Sequence, residues 1–304
     1  MKRHTPMTQT ILLVGATGML GGHVARHLLD QPEARLRLLA RPGQRGALKP
    51  LLDRGAEVIE GDIGDAASLD RATQGVDVIV SAVQGGREVI VEGQVALARA
   101  GQRNGARRIQ PSDYALDLFK ATPGEHAAFD MRREADERIG EIGLEQVNVL
   151  QGGFMQLFTP GMGAIDLDRG TVGFFGDGER AIEVTSVKDT AAMIARVALD
   201  RDVSPGKFAF AGDRVSFRQA GEVVGRQIGR TLEPVSYGSE GDLRAAHAAA
   251  LRADPAKAVM LAYLLYMTNG QTALTDLQNG RYPDLKLQTF AEFVAEATPQ
   301  AVAA

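Results

Sequence analysis

The stretch Ile11-Leu12-Leu13-Val14-Gly15-Ala16-Thr17-Gly18-Met19-Leu20-Gly21-Gly22 runs from four consecutive aliphatic residues into a segment with helical spacing, Leu20, Val24 and Leu28. A strand, a tight turn and a helix are therefore expected in that order. Each glycine has a physical reason. Gly15 permits a sharp turn off the strand, Gly18 lets the backbone approach a diphosphate closely, and Gly21 lets the helix pack against the sheet. Thr17, Met19 and Leu20 complete the turn, whose amides at a helix start face an anion with the helix dipole behind them. The bland alternative is a strand–helix turn that uses its glycines for packing only. The surroundings favour dinucleotide binding, because the same alternation continues downstream.

Further aliphatic runs occur at Leu36–Ala40, Glu57–Glu60, Asp77–Ser81, Arg108–Gln110 and Gln146–Leu150. Helical spacing lies between them, as at Val91, Val95 and Ala98. Strands apolar throughout are covered on both faces, and strand–helix alternation means parallel βαβ units. The fold class expected is α/β, a Rossmann-type doubly wound parallel sheet followed by a smaller, mostly helical C-terminal substrate lobe. The boundary is placed at 1–153 and 154–304, where Gly152, Gly153, Pro160, Gly161 and Gly163 cluster; about 180–200 is expected to return to the first domain. Thr171–Phe175 and Arg180–Thr185 flank Gly176-Asp177-Gly178 and read as strands joined by a tight turn. A helix is expected at Val187–Leu199 and a strand at Lys207–Ala211.

Composition narrows the function. The 304 residues are 44% hydrophobic and 24% charged, ordinary globular values. With 34 Lys+Arg against 38 Asp+Glu, no block of positive charge is present to neutralise phosphates, and nucleic acid is not an expected partner. The chain has no cysteine, which excludes disulfides, thiolate nucleophiles and thiolate metal ligands; no metal site is expected. The apolar run Val259–Met267 is far short of the ~20 residues a membrane helix needs. Met1–Thr10 lacks the apolar core of a secretory signal, and Met7 is an alternative start with the residues before it an extension. A soluble, cytoplasmic protein is expected, with no membrane partner.

The second strand decides between cofactors. An NAD site places an acid near its end to bind the ribose hydroxyls, whereas Leu38-Leu39-Ala40 is followed here by Arg41 and Arg45 around a Pro-Gly turn. Guanidinium groups suit a phosphate dianion, so NADPH is expected; two solvated surface arginines are the alternative. Asp62 and Ile63 after the third strand are candidates for the adenine, and Ala82, Val83 and Gln84 after the fourth for the nicotinamide half. Standard short-chain dehydrogenases need Tyr-x-x-x-Lys on one helix. Tyr114, Tyr237, Tyr263 and Tyr266 lack the lysine, and Tyr282 with Lys286 is followed at once by Pro283, so that motif is absent.

GATGMLGG over 15–22, RGAEVIEGDIGDAASLDRATQGVDVIVSAV over 54–83, RRIQPSDYALD over 107–117 and RYPDLKLQTFAEFV over 281–294 together resemble the NmrA-like, isoflavone-reductase-like branch of atypical short-chain dehydrogenases. That branch includes phenylcoumaran benzylic ether reductases and pinoresinol–lariciresinol reductases. The resemblance runs over nearly the whole chain. It implies NADPH, a sheet domain with a C-terminal lobe, and a cleft for an aromatic substrate. Members that reduce phenylpropanoids carry a lysine three residues after an aromatic on the helix before the sixth strand. Phe129-Asp130-Met131-Arg132 matches that stretch with Arg132 at the lysine position, and a guanidinium does not trade protons near neutral pH.

Arg132 is thus a candidate for holding the nicotinamide ribose or stabilising charge on a substrate oxygen, the alternative being a surface arginine paired with Asp136. Tyr114 and His126 are candidate proton donors, or an aromatic wall and a cap. Ser112, in the PSDY segment, joins the cofactor set, as does Phe154 after the sixth strand. Met155, Phe158, Met162 and Tyr263 to Met267 are candidates for an apolar substrate lobe, or simply core. Two functions follow. One is an NADPH-dependent reductase acting on a small aromatic or conjugated substrate such as a quinone, a benzylic ether, or an activated C=C or C=N bond. The other is a non-catalytic NADP(H) sensor. The homodimer is an assembly compatible with either.

Overall fold

A computed structural model describes residues 8–159 and 163–301. Strands β1 (Gln9–Val14), β2 (Ala34–Ala40), β3 (Glu57–Glu60), β4 (Val78–Ser81), β5 (Arg108–Gln110) and β6 (Glu145–Leu150) form a parallel sheet in the order β6-β5-β4-β1-β2-β3. All six lie where the aliphatic runs predict them, within two residues. Ile11, Leu12, Leu13, Val78, Ile79 and Val80 are fully or almost fully withdrawn from water, as strands covered on both faces must be. The strand order reverses between β1 and β4, and in such sheets ligands bind outside the carboxyl ends at that point.

Helices α1 (Met19–Leu29), α2 (Lys49–Leu52), α3 (Ala66–Thr73), α4 (Gln94–Arg103), α5 (Ala127–Gly140) and α6 (Val187–Leu199) accompany the sheet. Asp65 caps α3 by accepting from the Ser68 amide, and a short π-helical segment, Glu88–Gly93, leads into α4. Leu12, Val14, Ile79, Val83, Val95, Leu97, Ile109 and Ile139 form one core that ties β1, β4 and β5 to α4 and α5. Arg138 pairs with Glu92 at 2.8 Å and Arg87 with Glu134, joining α5 to the π-helical segment across the surface.

The chain divides into two compact units. The first comprises Met1–Asp113, Met131–Val149 and Thr190–Phe208; the second comprises Tyr114–Asp130, Leu150–Asp189 and Ala209–Ala304. The second takes up about half the chain, and Tyr114–Asp130 joins it from ahead of β6. The strand expected at Lys207–Ala211 forms at Gly206–Ala209 and adds a seventh member to the main sheet, beside β6.

The second unit has helices Phe217–Ile228, Glu240–Ala253, Pro255–Asn269 and Phe290–Ala301, and also two three-stranded sheets. Thr171–Phe174 and Ile182–Thr185 do form with a turn at Gly176 and Asp177 between them, but they do not pair with each other. The first strand pairs with Glu233–Ser236 and Ile165–Asp166, the second with Asp213–Val215 and Gly153–Phe154. Arg218 explains the separation. Its Nε donates to the Asp177 carbonyl at 2.6 Å and its amide to the Gly178 carbonyl at 3.2 Å, so the Gly176–Gly178 turn closes onto the start of a helix instead of a hairpin. Among the described residues no helix is long and apolar enough to cross a membrane, and no cluster of His, Asp and Glu is arranged to hold a metal ion.

Candidate functional site at the carboxyl edge of the sheet

The turn after β1 is built by exclusion of side chains. Gly15 sits at φ +96, and a Cβ there would lie 2.2 Å from the Ala82 carbonyl oxygen. The ends of β1 and β4 therefore touch backbone to backbone at the point where the strand order reverses, and the Ala82 amide donates to the Val14 carbonyl at 2.8 Å. A Cβ at Gly21 would fall 2.1 Å from the Gly15 carbonyl oxygen, so α1 starts hard against the turn. Gly18 is different. A Cβ there would meet only the Gly15 oxygen, at a tight 3.3 Å, with no other atom within 4 Å.

That opening is where an anion fits. Gly18 is the N-cap of α1 with no side-chain cap, and no acid stands in the first turn, so the amides of Met19, Leu20 and Gly21 begin the helix without a side chain neutralising them. Thr17, Gly18 and Met19 are exposed around it. The chemistry of this donor set suits a diphosphate: backbone amides, a helix dipole and no competing carboxylate.

The neighbouring strand ends supply the rest. Arg41 and Arg45 are exposed on the turn that follows β2, where the Gln44 amide closes back on the Arg41 carbonyl at 3.1 Å. Asp62, after β3, is exposed and its Oδ1 accepts from the Gly64 amide at 2.9 Å, while Ile63 is partly buried. After β4, Ala82 is partly buried, Val83 buried and Gln84 exposed.

Ser112, after β5, is a crossing point. Its Oγ donates to the Val83 carbonyl at 2.8 Å, its amide to Gln94 Oε1 at 2.9 Å, and its carbonyl accepts from Arg132 Nε at 2.8 Å. Arg132 is partly buried, turned onto the sheet edge. Asp136, the surface partner weighed for it, is itself only 6% exposed and faces Asp113. Sequence reasoning passed over Gln94, Asp113, Gln146 and Asn148. The available signal was a polar side chain inside an otherwise aliphatic strand or helix face.

The remaining candidates belong to the second unit. Tyr114 is partly buried with its hydroxyl out of solvent. His126 is 1% exposed, stacks on Phe129 at 3.9 Å between ring centres, meets Tyr263 edge-on at 4.4 Å, and accepts the Phe129 amide on Nδ1 at 3.3 Å. Phe154 lies in a two-residue strand beside Thr185. Met155 and Phe158 are fully buried, Phe158 packing on Phe217 and Phe290 at 5.2 and 5.6 Å, and Tyr266 and Met267 are buried with them; Tyr263 and Leu264 are partly buried. The apolar residues that the sequence offers as a substrate lobe are thus largely core; Met162 lies outside the described residues. Tyr266 has its hydroxyl pushed up to about 12 by burial and the nearby Glu125 carboxylate.

Comparison with known proteins follows the same lines. A probable pinoresinol–lariciresinol reductase of Arabidopsis thaliana is 25% identical over 93% of this chain and 96% of its own. A phenylcoumaran benzylic ether reductase of Ginkgo biloba is 25% identical over 93% and 97%. Among solved structures, AtPrR2 with NADP+ and (+)-pinoresinol superposes with a TM-score of 0.83 at 21% identity, covering 95% of this chain and 98% of the other. The leucoanthocyanidin reductase–NADPH complex from Vitis vinifera gives 0.81 at 23% identity, covering 94% and 98%. These structures share the fold. The sequence profile of the NmrA-like family matches residues 7–245, through both βαβ halves of the sheet and into the second unit. On that match, the chain belongs to the NmrA-like family.

Proposed function

We propose that the protein is an NADPH-dependent reductase of small aromatic or conjugated substrates. The observation that carries this reading is the turn at Gly15–Gly21, open over Gly18 and closed over Gly15, at the reversal point of the sheet. In this reading the amides of Met19 to Gly21 hold the diphosphate, and Arg41 and Arg45 take the additional ribose phosphate. Asp62 and Ile63 border the adenine, and Ala82, Val83, Gln84 and Ser112 border the nicotinamide half. NADPH supplies a hydride equivalent when bound. The Arg132 guanidinium acts as a fixed cation, favouring negative charge as it develops on a substrate oxygen. Orientation and exclusion of water contribute most of the rate acceleration.

The names of the relatives support a reductase acting on an aryl ether or a related benzylic centre; quinones and activated C=C or C=N bonds are the other electrophiles of matching chemistry. Arg132 in place of a lysine favours a second reading, a protein that binds NADP(H) and reports its redox state without turnover. One assay separates them. Purified protein is mixed with NADPH and a panel of aryl ethers, quinones, enones and imines, and NADPH consumption is followed. Turnover of any member supports the reductase. No turnover, with NADP+ and NADPH bound at very different affinities, supports the sensor. No binding of either nucleotide overturns both.

A further inference from the structure

The assignments above leave one buried pair of acids without a role. Asp113 follows Ser112 at the end of β5, and Asp136 lies one helical turn beyond Arg132 on α5; they are 0% and 6% exposed. A ring of side chains joins them through β6. Asn148 Nδ2 donates to Asp113 Oδ2 at 2.8 Å, Gln146 Nε2 donates to Asn148 Oδ1 at 3.3 Å and to Asp136 Oδ1 at 2.9 Å, and the two carboxyls are close enough to act on each other electrostatically. Gln146 and Asn148 stand two apart on a strand and so share a face.

The donors in this ring can be counted. Two amides satisfy one oxygen of each acid. The other two oxygens, Asp113 Oδ1 and Asp136 Oδ2, are buried and have no donor among the described residues. Two ionised carboxylates in contact there would combine mutual repulsion with full loss of hydration, so one hydrogen belongs between them. The direction of titration agrees. Burial pushes Asp113 up to about 6, and burial together with the Asp113 charge pushes Asp136 well above the ordinary carboxylate range.

We propose that Asp113 and Asp136 share one proton between Oδ1 and Oδ2, and that the single negative charge left on the pair positions Arg132 against the Ser112 carbonyl. Among the described residues, the charged groups that act on the pair are each other and Arg132 on α5; β6 contributes the uncharged Gln146 and Asn148. One negative charge balances one guanidinium. A fully protonated pair removes the negative charge beside Arg132, and a fully ionised pair repels itself. Asp113 and Asp136 are positioning residues in this scheme and touch no substrate.

The test compares wild type with Asp136→Asn and with the double variant Asp113→Asn/Asp136→Asn. Asparagine at 136 puts an amide hydrogen where the shared proton sits and keeps one charge; the double variant keeps the shapes and removes the charge. The first readout is thermal stability against pH without nucleotide. The folded carboxyls titrate above the ordinary value of 3.8, so the folded state holds more protons than the unfolded one in that window. Their stabilisation is present below that value and is lost as pH rises through about 6 and beyond. The Tm of wild type minus that of the double variant therefore falls with rising pH, and a flat difference overturns the shared proton.

The second readout is hydrogen exchange at Arg132 Nε, followed by NMR. Exchange is expected to be about tenfold faster in the double variant, which loses the negative charge beside the guanidinium, with most of the protection recovered in Asp136→Asn. Equal protection in all three proteins overturns the positioning role. Neither readout uses nucleotide, so the inference and the cofactor reading fail separately. Titration with NADPH then links them: a weaker affinity in the double variant, restored by Asp136→Asn, ties the pair to the cofactor reading on which its functional meaning rests.

Discussion

The turn after β1 and the corner after β5 leave the same edge of one sheet and are made from opposite materials. The first is backbone. Its shape follows from where Cβ atoms are missing, and its ligand-facing groups are amides that every residue carries. The second is side chain. Ser112, Gln94, Arg132 and the Asp113–Asp136 ring come from β5, α4, α5 and β6, and each bond depends on a specific functional group. A backbone site tolerates change wherever a Cβ has room and fails where it has none. A side-chain site degrades one hydrogen bond at a time.

Gly15→Ala is the severest way to break the first region. The new methyl would need space that the Ala82 carbonyl occupies, at a φ that L-residues rarely adopt. A loss of stability on the order of 3 kcal/mol is expected in denaturant titration, together with loss of NADPH binding. Gly18→Ala sharpens the contrast within the same turn. Its methyl meets only one atom, at 3.3 Å, so stability should move by less than ~1 kcal/mol. Affinity for NADPH should nevertheless fall by tenfold or more, roughly 1.4 kcal/mol, because the methyl projects into the opening over the helix start. If both variants lose stability equally, the turn is a packing device and the dinucleotide reading is wrong.

Arg41→Asp probes the edge of the backbone site, where side chains begin to matter. The residue is exposed, and the variant should fold normally. NADPH affinity is expected to drop about tenfold while NADH affinity holds or improves, since the substitution removes a phosphate partner and adds a ribose hydroxyl acceptor. Equal losses for both nucleotides remove Arg41 from the phosphate site.

This division also explains what the sequence discloses. Six strands and the glycine turn were legible because their requirements are local. A run of three to seven residues around aliphatic positions reads as a strand within such an alternation, and glycine at the first, fourth and seventh positions of a turn has few other uses. The helix Val187–Leu199 was legible to the residue for the same reason. The two small sheets of the second unit were not, because their partners are distant: Thr171–Phe174 pairs with Glu233–Ser236 across two whole helices. Asp113 stood in plain view within RRIQPSDYALD, yet its meaning depends on Asp136, Gln146 and Asn148, which no spacing rule brings together. For Arg132 the sequence leaves a site role and an i, i+4 pair with Asp136 equally open, and spacing does not disclose that Asp136 is buried.

The smallest effect expected lies in the side-chain corner. Ser112 Oγ donates to the Val83 carbonyl at 2.8 Å, and the residue is 5% exposed. Ser112→Ala deletes that donor and leaves the amide bond to Gln94 and the carbonyl bond from Arg132 in place, because both belong to the backbone of residue 112. The cost is one buried hydrogen bond with an acceptor left unpaired, about 1 kcal/mol in urea unfolding. That figure separates two pictures of the corner. If its bonds act singly, Ser112→Ala and Gln94→Leu lose stability additively when combined. If Ser112 is the joint that holds β4, α4 and α5 in register, the second substitution costs markedly less once the first is made, and the double-mutant cycle returns a coupling energy above the ~0.5 kcal/mol expected of independent sites.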